Sequence, residues 1–276
     1  MARVLLLGAG TQSLAILPSL YRLGHKILMH TGGRSNYGDR SRYVSKVFRY
    51  EVTALSAYAD YVRKIVAEEG VDVVLPMGDE AALMLSKYQH LFGSQNVKTP
   101  SFDNFLKGYD KNCLMALCKA HDYPHPTTID LSTTSIQSME VKHFPFPAML
   151  KPNCTTGGRG MVEVANWEEL QAKYPSLHQQ YGDYHLQRFV KAGGKQVKVQ
   201  LYVDAQRRLI ASSVMQKLRW YPNKAGSNCC AVSIEDKALV TMCHHVLEDL
   251  KWVGFADFDL IEDPDSGELL IMEINP

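Results

Sequence analysis

The first 97 residues alternate short, uninterrupted apolar runs with periodic amphipathic segments, and this alternation narrows the fold more than any other feature of the chain. Arg3–Leu7 (RVLLL), Lys26–Met29 and Val71–Leu75 (VDVVL) read as buried strands. Thr11–Leu23 and the stretch from Asp79 to Leu91 read as helices, and Tyr58, Tyr61, Val62, Ile65 and Val66 share one face of another. Strands that are apolar throughout must be covered on both sides. The pattern therefore predicts a parallel sheet with helices on each face.

This Rossmann-like unit gives way near Thr99 to a different order of elements. Asp110–His121 is helical, Tyr123–Thr128 (YPHPTT) is a Pro-rich link, and Pro147–Lys151 (PAMLK) is a strand entering the Gly-rich stretch CTTGGRG. A helix over Trp167–Tyr174 precedes strands at Tyr184–Phe189, Lys195–Val203 and Leu209–Met215. A helix at Glu235–Leu250 follows, and the strands Phe255–Ile261 and Glu268–Ile274 close a hairpin across the turn DPDSG. Strands grouped apart from helices give an α+β second half.

Charge excludes some partners at once. Lys+Arg 30 against Asp+Glu 29 leaves net +1, so no global field draws the chain to nucleic acid or an anionic membrane. No apolar run approaches the roughly 20 residues of a membrane span, and the N-terminal run reads as a strand rather than a signal peptide. The six cysteines lack paired spacing and any CxxC, which fits reduced thiols in a cytoplasm. Cys243, His244 and His245 are adjacent on a predicted helix and point in different directions, which disfavours them as metal ligands.

Three motifs carry chemistry. Gly8-Ala-Gly-Thr-Gln-Ser13 joins a strand to a helix, as a phosphate-binding turn would. Its sixth residue is Ser13, however, and Met29 and His30 stand where a ribose-binding acid would be expected, so a structural turn is the better reading. In Lys151–Gly160 (KPNCTTGGRG), Gly157, Gly158 and Gly160 free backbone N–H groups to approach an anion. Lys151 and Arg159 add cations and Thr155 and Thr156 add hydroxyls, which favours a phosphate cradle over a flexible hairpin tip. On the last hairpin, Asp257 and Asp259 share one strand face and Glu273 and Asn275 share another. If Asp259 pairs near Glu273, hard oxygen donors converge as Mg²⁺ requires; the alternative is solvated acid on an edge. A cationic loop and a carboxylate pair at opposite ends of one unit imply a nucleotide phosphate–magnesium site between them.

The order GAGTQS, VDVVLPMGDE, YDKNCLMALCKAHDYPHP, PAMLKPNCTTGGRGM, HLQRFV, KQVKVQLYVD and GFADFDLIED with LLIMEINP resembles the ATP-grasp superfamily with its preceding Rossmann-like domain. It looks most like the carboxylate–amine ligase and carbamoyl-phosphate-synthetase or biotin-carboxylase side of that group. The resemblance implies a Rossmann-like domain over 1–97, a small (lid) subdomain with its linker helix over 98–186, and a large, metal-bearing subdomain over 187–276. It implies ATP with two Mg²⁺ ions, replaceable by Mn²⁺. Lys111 and Lys151 then resemble the phosphate-binding lysines, and Thr155–Gly160 the lid over the phosphates. Gln187, Arg188, Phe189 and Val190 match the hinge that meets adenine, with Gln187 where Glu is frequent, and Gln196 falls where a ribose-binding Glu is common. Asp259, Glu273 and Asn275 resemble the metal ligands. Arg219 and Lys217, in QKLRWYP, fall near the acyl substrate, with Lys224 a further candidate anchor for an acid group.

The activity so implied is an ATP-dependent ligase that activates a carboxylate as an acyl phosphate for attack by an amine or related nucleophile. Bicarbonate activation is a variant of that reading, and a nucleotide-binding module without turnover is the alternative from another class. An NAD-linked enzyme is disfavoured by Ser13 and the missing acid. The expected partners are a small carboxylate and an amine, with a homodimer as the expected assembly. Relatives carry an Arg within two residues of the Asn, whereas this sequence stops at Asn275-Pro276. The expectation is a shortened form of a longer protein, slow to turn over, with Arg219 the first candidate for the missing cation.

Overall fold

Alternate residues of the N-terminal strands feed two separate cores. Leu5, Leu7 and Leu28 pack with Tyr58, Ala59, Val62 and Ile65, whereas Val4, Leu6, Ile27 and Met29 pack with Leu17. The computed structural model describes residues 1–32, 36–93, 97–155, 157–221 and 227–276. Strands β1 (Arg3–Leu7), β2 (Lys26–Thr31), β3 (Val44–Arg49) and β4 (Val73–Pro76) form a parallel sheet in the order β3-β2-β1-β4. Helix α1 (Thr11–Arg22) covers one face and α2 (Leu55–Glu69) with α3 (Asp79–Lys87) the other. Burial on both faces is what allows these strands to be uniformly apolar. Strand β3 escapes the sequence pattern because it is half exposed at the sheet edge and carries Ser45, Lys46 and Arg49 among its apolar residues.

Helices α4 (Phe102–Tyr109) and α5 (Lys111–Ala120) follow, meeting at Asp110, whose carboxylate accepts the Cys113 N–H at 3.0 Å and caps α5. A second sheet, β5-β8-β6-β7, is built from β5 (Thr128–Asp130), β6 (Ala148–Pro152), β7 (Val162–Val164) and β8 (Tyr184–Arg188). Helix α6 (Met139–Lys142) and the longer α7 (Trp167–Tyr181) pack with it. The sequence predicts a helix over Trp167–Tyr174, ending just before Pro175; α7 instead continues to Tyr181, about two turns further, with Pro175 exposed on its outer side. Pro costs a helix one N–H and crowds one carbonyl, and the interior contact of Leu170 and Leu177 keeps the two halves in line.

The third sheet is antiparallel, in the order β11-β10-β9-β12-β13. Its strands are β9 (Gln196–Val203), β10 (Leu209–Tyr221), β11 (Ser227–Ile234), β12 (Gly254–Glu262) and β13 (Leu269–Asn275), with α8 (Lys237–Asp249) packed on one face. Strand β9 alternates intermediate and buried positions along its whole length, so Val197, Val199, Leu201 and Val203 face the core while Gln196, Lys198 and Gln200 face the cleft. Strand β10 runs six residues past the expected Met215, and β11 is a strand that its Ser-Asn-Cys-Cys start conceals.

Trp252 fastens this sheet to α4. It is fully buried, its ring centroid lies 6.0 Å from that of Phe105, and its indole N–H donates to the Phe255 carbonyl at 2.9 Å. Gly108 is glycine because a Cβ there would lie 2.8 Å from the indole. Trp252→Ala removes this plug and should lower unfolding free energy by about 3–5 kcal/mol in urea denaturation.

Candidate functional site

Two lysines converge from different elements. Lys111 opens α5, and its backbone N–H donates to the Asn153 carbonyl at 3.0 Å, which fixes the helix start against the end of β6. Its ammonium donates to the Thr155 carbonyl at 2.7 Å and pairs with Glu273 of β13 at 3.3 Å. Lys151 reaches the same region from β6. Both side chains are nearly closed to solvent, with Lys111 7% and Lys151 6% exposed.

The partner of Lys151 is neutral. Its Nζ donates to Gln187 Oε1 at 2.5 Å, and Gln187 Nε2 donates to Thr128 Oγ1 at 3.2 Å. The Thr128 hydroxyl proton is in turn committed to the Pro126 carbonyl at 2.8 Å, so the amide orientation of Gln187 is fixed. Burial pulls the Lys151 ammonium down to about 8; Glu273 opposes that shift and Lys111 adds to it. Beside it, His185 shares a hydrogen bond of 2.8 Å with Asn153 Oδ1, and its Nε2 is buried without a partner among the described residues. Burial, with the charges of Lys151 and Lys111, holds His185 far below its ordinary range, and it is neutral.

The Gly-rich loop is anchored at one end and open at the other. Gly160 has φ +75°, and a Cβ there would meet Pro152, Tyr181 and Tyr184 atoms at 2.9 Å. The Tyr184 hydroxyl donates to the Gly160 carbonyl at 3.0 Å. Gly157 and Gly158 also have positive φ, yet nothing lies within 4 Å of a Cβ built on them. Thr155 Oγ1 donates to the Arg159 carbonyl at 3.1 Å. Thr156 and Lys224 lie outside the described residues.

The carboxylates come from the final hairpin. Its register places Asp259 opposite Glu273 and Asp257 opposite Asn275, so four oxygen-bearing side chains share the cleft face. Asn275 Nδ2 donates to Asp259 Oδ2 at 3.1 Å. Two residues outside the expected metal set complete this cluster: Lys198 of β9, opposite Asp259, and Asp79 at the start of α3. Lys198 donates to Asp257 Oδ2 at 2.6 Å and to Asp259 Oδ2 at 3.2 Å, and Lys217 donates to Asp259 Oδ1. Burial raises the Asp259 carboxyl, and the two ammonium groups outweigh it, so Asp259 sits below the usual carboxylate range. Asp257 is shifted upward by burial against the pull of Lys198, and its Oδ1 is buried with no partner among the described residues. Asp79 is also shifted upward, by burial and Glu273 against Lys111 and Arg159, which places it in the same electrostatic cluster. Hard oxygens on facing strands, one of them an unsatisfied buried carboxylate oxygen, make a donor set that fits Mg²⁺.

The remaining expected residues lie further out. Arg188 pairs with Asp263 of the hairpin turn at 2.6 Å, and its N–H donates to the Thr127 carbonyl at 2.8 Å. Phe189 N–H donates to the Pro147 carbonyl at 3.3 Å, and Val190 is half-buried beside it. Gln196 sits on the cleft face of β9, opposite Lys217 and Ile261. Arg219 is exposed where the β10–β11 register breaks, and no hydrogen bond or ion pair joins it to the carboxylates among the described residues. The Gly8–Ser13 turn is held from within, since the buried Ser13 hydroxyl donates to the Gly8 carbonyl at 2.7 Å. A cleft of about 1080 Å³ crosses the carboxyl ends of β1, β2 and β4 past Gly8, His30, Asp79 and Glu80, and reaches Asn275. Among the described residues no three His, Cys, Asp or Glu by themselves form a metal set, so a metal at the carboxylates would also draw on Asn275 and on oxygens from outside the chain, and His244 shares a hydrogen bond of 3.0 Å through Nε2 with the Arg207 carbonyl. No helix among the described residues is long and apolar enough to cross a membrane.

Residues 110–276 match the family model of the carbamoyl-phosphate synthase L chain, ATP binding domain. Among solved structures, the biotin carboxylase domain dimer of Hydrogenobacter thermophilus 2-oxoglutarate carboxylase, in complex with MgADP, ADP and bicarbonate, is similar at 16% identity and TM-score 0.76 over 99% of this chain and 63% of that one. The L-amino acid ligase of Bacillus licheniformis gives 16% identity and TM-score 0.72 over 99% and 66% of the two chains. N5-carboxyaminoimidazole ribonucleotide synthetase of Thermotoga maritima gives 16% and 0.68 over 100% and 68%. These likenesses show the fold, a mixed α/β architecture with one parallel and two antiparallel sheets. The chain spans about 63% of the carboxylase domain and 26% of a Rhizobium etli pyruvate carboxylase that it also matches.

A buried ammonium facing a neutral amide carries a measurable cost. The folded pKa of Lys151, about 8, lies below the ordinary 10.5, so the folded chain releases that proton first as pH rises. Lys151→Met should raise unfolding free energy at pH 7 by roughly 3 kcal/mol. Calorimetric or denaturant unfolding should show the gap between the two proteins closing between pH 8 and 10.5, and a pH-independent gap would mean that Lys151 keeps its ordinary value of 10.5 in the folded chain.

Proposed function

Because this chain belongs to the family of carbamoyl-phosphate synthase L-chain ATP-binding domains, we propose that it is an ATP-dependent ligase of the ATP-grasp kind. In this reading it passes the γ-phosphoryl group of ATP to a small carboxylate and so prepares it for attack by an amine. Residues 1–97 form the Rossmann-like domain, 98–186 the small subdomain and 187–276 the large one. The observation that carries the reading is the meeting of Lys111, Lys151 and Glu273, from three separate elements, beneath one Gly-rich loop.

Each residue then has a physical task. Lys111 and Lys151, both desolvated, present positive charge to the phosphates at a dielectric lower than that of water. Backbone N–H groups of Gly157–Gly160, with Thr155 and Arg159, close over them and exclude water. The strand after Gln187, through Arg188, Phe189 and Val190, receives the base, and Gln196 lies toward the sugar. Asp259, Glu273 and Asn275, joined by Asp257, would hold Mg²⁺, whose charge would offset that of the polyphosphate. The cleft over β1, β2 and β4 opens onto Asn275, and we assign it to the carboxylate and its nucleophile. Lys217 lies at the carboxylate end of the site, while Arg219 stands exposed two residues further along β10, at the break in its register with β11. A cytoplasmic location is the proposed one, supported by six cysteines without a disulfide, and a homodimer is the proposed assembly.

A nucleotide-binding module without turnover is the second reading, favoured by one observation: Asp259 is already held by two ammonium groups. ADP release separates the two. A ligase releases ADP only when a carboxylate and an amine are supplied together, and screening amino acids and small acids in pairs tests this directly. Glu273→Gln, which keeps volume and removes charge, should lower that rate at least about 100-fold with near-UV circular dichroism unchanged. Lys151→Ala should weaken ATP far more than adenosine in calorimetric titration, and equal losses would assign Lys151 to folding alone.

A further inference from the structure

Each of the three sheets has two edge strands among the described residues, and all but one of these are guarded. A bare edge offers a row of unpaired N–H and C=O groups to any other strand, so folded chains shorten it, cover it or charge it. Strand β4 is flanked by Val97, whose backbone bridges Val74 in parallel. Strand β13 lies against α4 and α5, and its Ile271 N–H donates to the Pro124 carbonyl at 2.9 Å. Strand β3 carries Lys46 and Arg49. Strands β5 and β7 have three residues each, and Glu163 stands exposed in the middle of β7.

The exception is β11. Its eight residues (SNCCAVSI) include no charge and no proline. Cys229, Cys230, Ala231, Val232 and Ser233 are exposed one after another, so both faces of the strand are open as well as its edge. Outside the ladder with β10, its hydrogen bonding among the described residues is one bond within the strand, from the Cys230 N–H to Asn228 Oδ1 at 3.3 Å. That N–H is an outer-edge donor held by a side chain and not by another strand. Large apolar side chains gather at the same place: Val232 is 45% exposed, and Leu218 and Tyr221 of the neighbouring β10 are 46% and 78% exposed. An uncharged edge of this length is a template for the addition of a strand.

We propose that β11 is the surface through which two copies of this chain associate, strand against strand and antiparallel about a two-fold axis. Two observations select a second copy as the partner. The strand suits itself: it holds no charge, so its own copy meets it without repulsion, and a two-fold axis perpendicular to the sheet sets two identical edges antiparallel. The chain also has a single open edge among the described residues, because β13 at the far side of the same sheet is covered. Pairing therefore closes at two copies and does not run on into a fibre. The five strands of each copy become one continuous antiparallel sheet, and β10, which carries Lys217 and Arg219, lies one strand away from the partner. This gives the homodimer proposed above its surface and does not rest on the ligase reading.

Sedimentation equilibrium of the 276-residue chain should give the mass of two copies, in the presence of a reductant so that no disulfide between the exposed Cys229 or Cys230 of two chains is counted. Cys230→Pro removes an outer-edge N–H and sets a ring where the partner strand must approach. It should raise the dissociation constant at least about tenfold with far-UV circular dichroism unchanged. Cys230→Lys and Cys230→Glu place like charges near the axis; each alone should dissociate, and the two mixed in equal amounts should associate again. A dimer that the Pro, Lys and Glu proteins all retain overturns this surface and leaves the homodimer standing. Failure of the mixture to associate, with both charged proteins folded, overturns the strand-to-strand pairing. A wild-type chain that stays single at its highest soluble concentration overturns the surface and the homodimer together, and growth beyond two copies overturns the closed two-fold pairing. If Cys230→Pro fails to fold, the charged pair decides, because an edge strand accommodates an exposed Lys or Glu. None of these outcomes bears on ADP release, by which the ligase reading is tested separately.

Discussion

Lys111 is the interaction on which the arrangement of the site depends. Its backbone N–H fixes the start of α5 to Asn153, its ammonium holds the Thr155 carbonyl at the base of the Gly-rich loop, and the same ammonium meets Glu273 at the end of the last hairpin. One side chain thereby ties together a helix, the second sheet and the third. The geometry requires a long cation with several donors at a helix start whose own capping is already met by Asp110. A charge so enclosed is stable only with its partners in place, so the parts that Lys111 joins cannot separate without exposing it or leaving Glu273 unpaired.

The balance of charge around it explains why a polyphosphate would need to arrive with metal. Lys111, Lys151, Lys198, Lys217 and Arg159 face Asp79, Asp257, Asp259 and Glu273, an excess of a single positive charge. That excess is small against a nucleotide triphosphate. The carboxylates that lower it are the ones proposed above to hold a divalent ion, so a polyphosphate that arrives with its own cation meets less repulsion from them than a free one would. Gln187 works in the same direction. A glutamate in its place would neutralise Lys151 from within, whereas the fixed amide leaves that ammonium to be satisfied by a ligand.

Elements with a strong local period were legible in the sequence. Strands β1 and β2, helix α5 and the closing hairpin fall within a few residues of their expected bounds because burial imposes an apolar pattern on them. Strand β3 and strand β11 were not, since an edge strand open to solvent carries no such pattern. The site divides along a similar line. Lys151 and Glu273 stand out as charges in apolar strands, and the Asp259–Glu273 pairing follows from the hairpin turn. Lys198 and Asp79 were missed for a physical reason: each joins the cluster only through pairing across β9 and β12 or through packing of the first sheet on the third. The one local sign was available in Lys198, a charge at the cleft-facing position of an alternating strand whose other face is Val and Leu.

Gly8–Ser13 shows how one motif can be right in place and different in use. The turn lies where a dinucleotide fold would cradle phosphate, yet Ser13 spends its hydroxyl on Gly8, and His30 is enclosed by Tyr58 at 3.0 Å and the Tyr50 carbonyl at 3.1 Å. A carbonyl only accepts, so His30 Nε2 carries the proton and Nδ1 accepts from the Tyr58 hydroxyl; burial lowers the pKa of the ring, which stays neutral. No cation therefore comes from β2 to the floor of the cleft, and Asp79 and Glu80 face it from α3. The first sheet thus offers backbone and carboxylates where the third offers lysines. Of the two small molecules that the proposed reaction joins, the acid suits the lysine side and the amine suits the side of Asp79 and Glu80. The cleft is polarised along the bond that would form across it, with Asn275, which lines the cleft and bonds Asp259, at the junction.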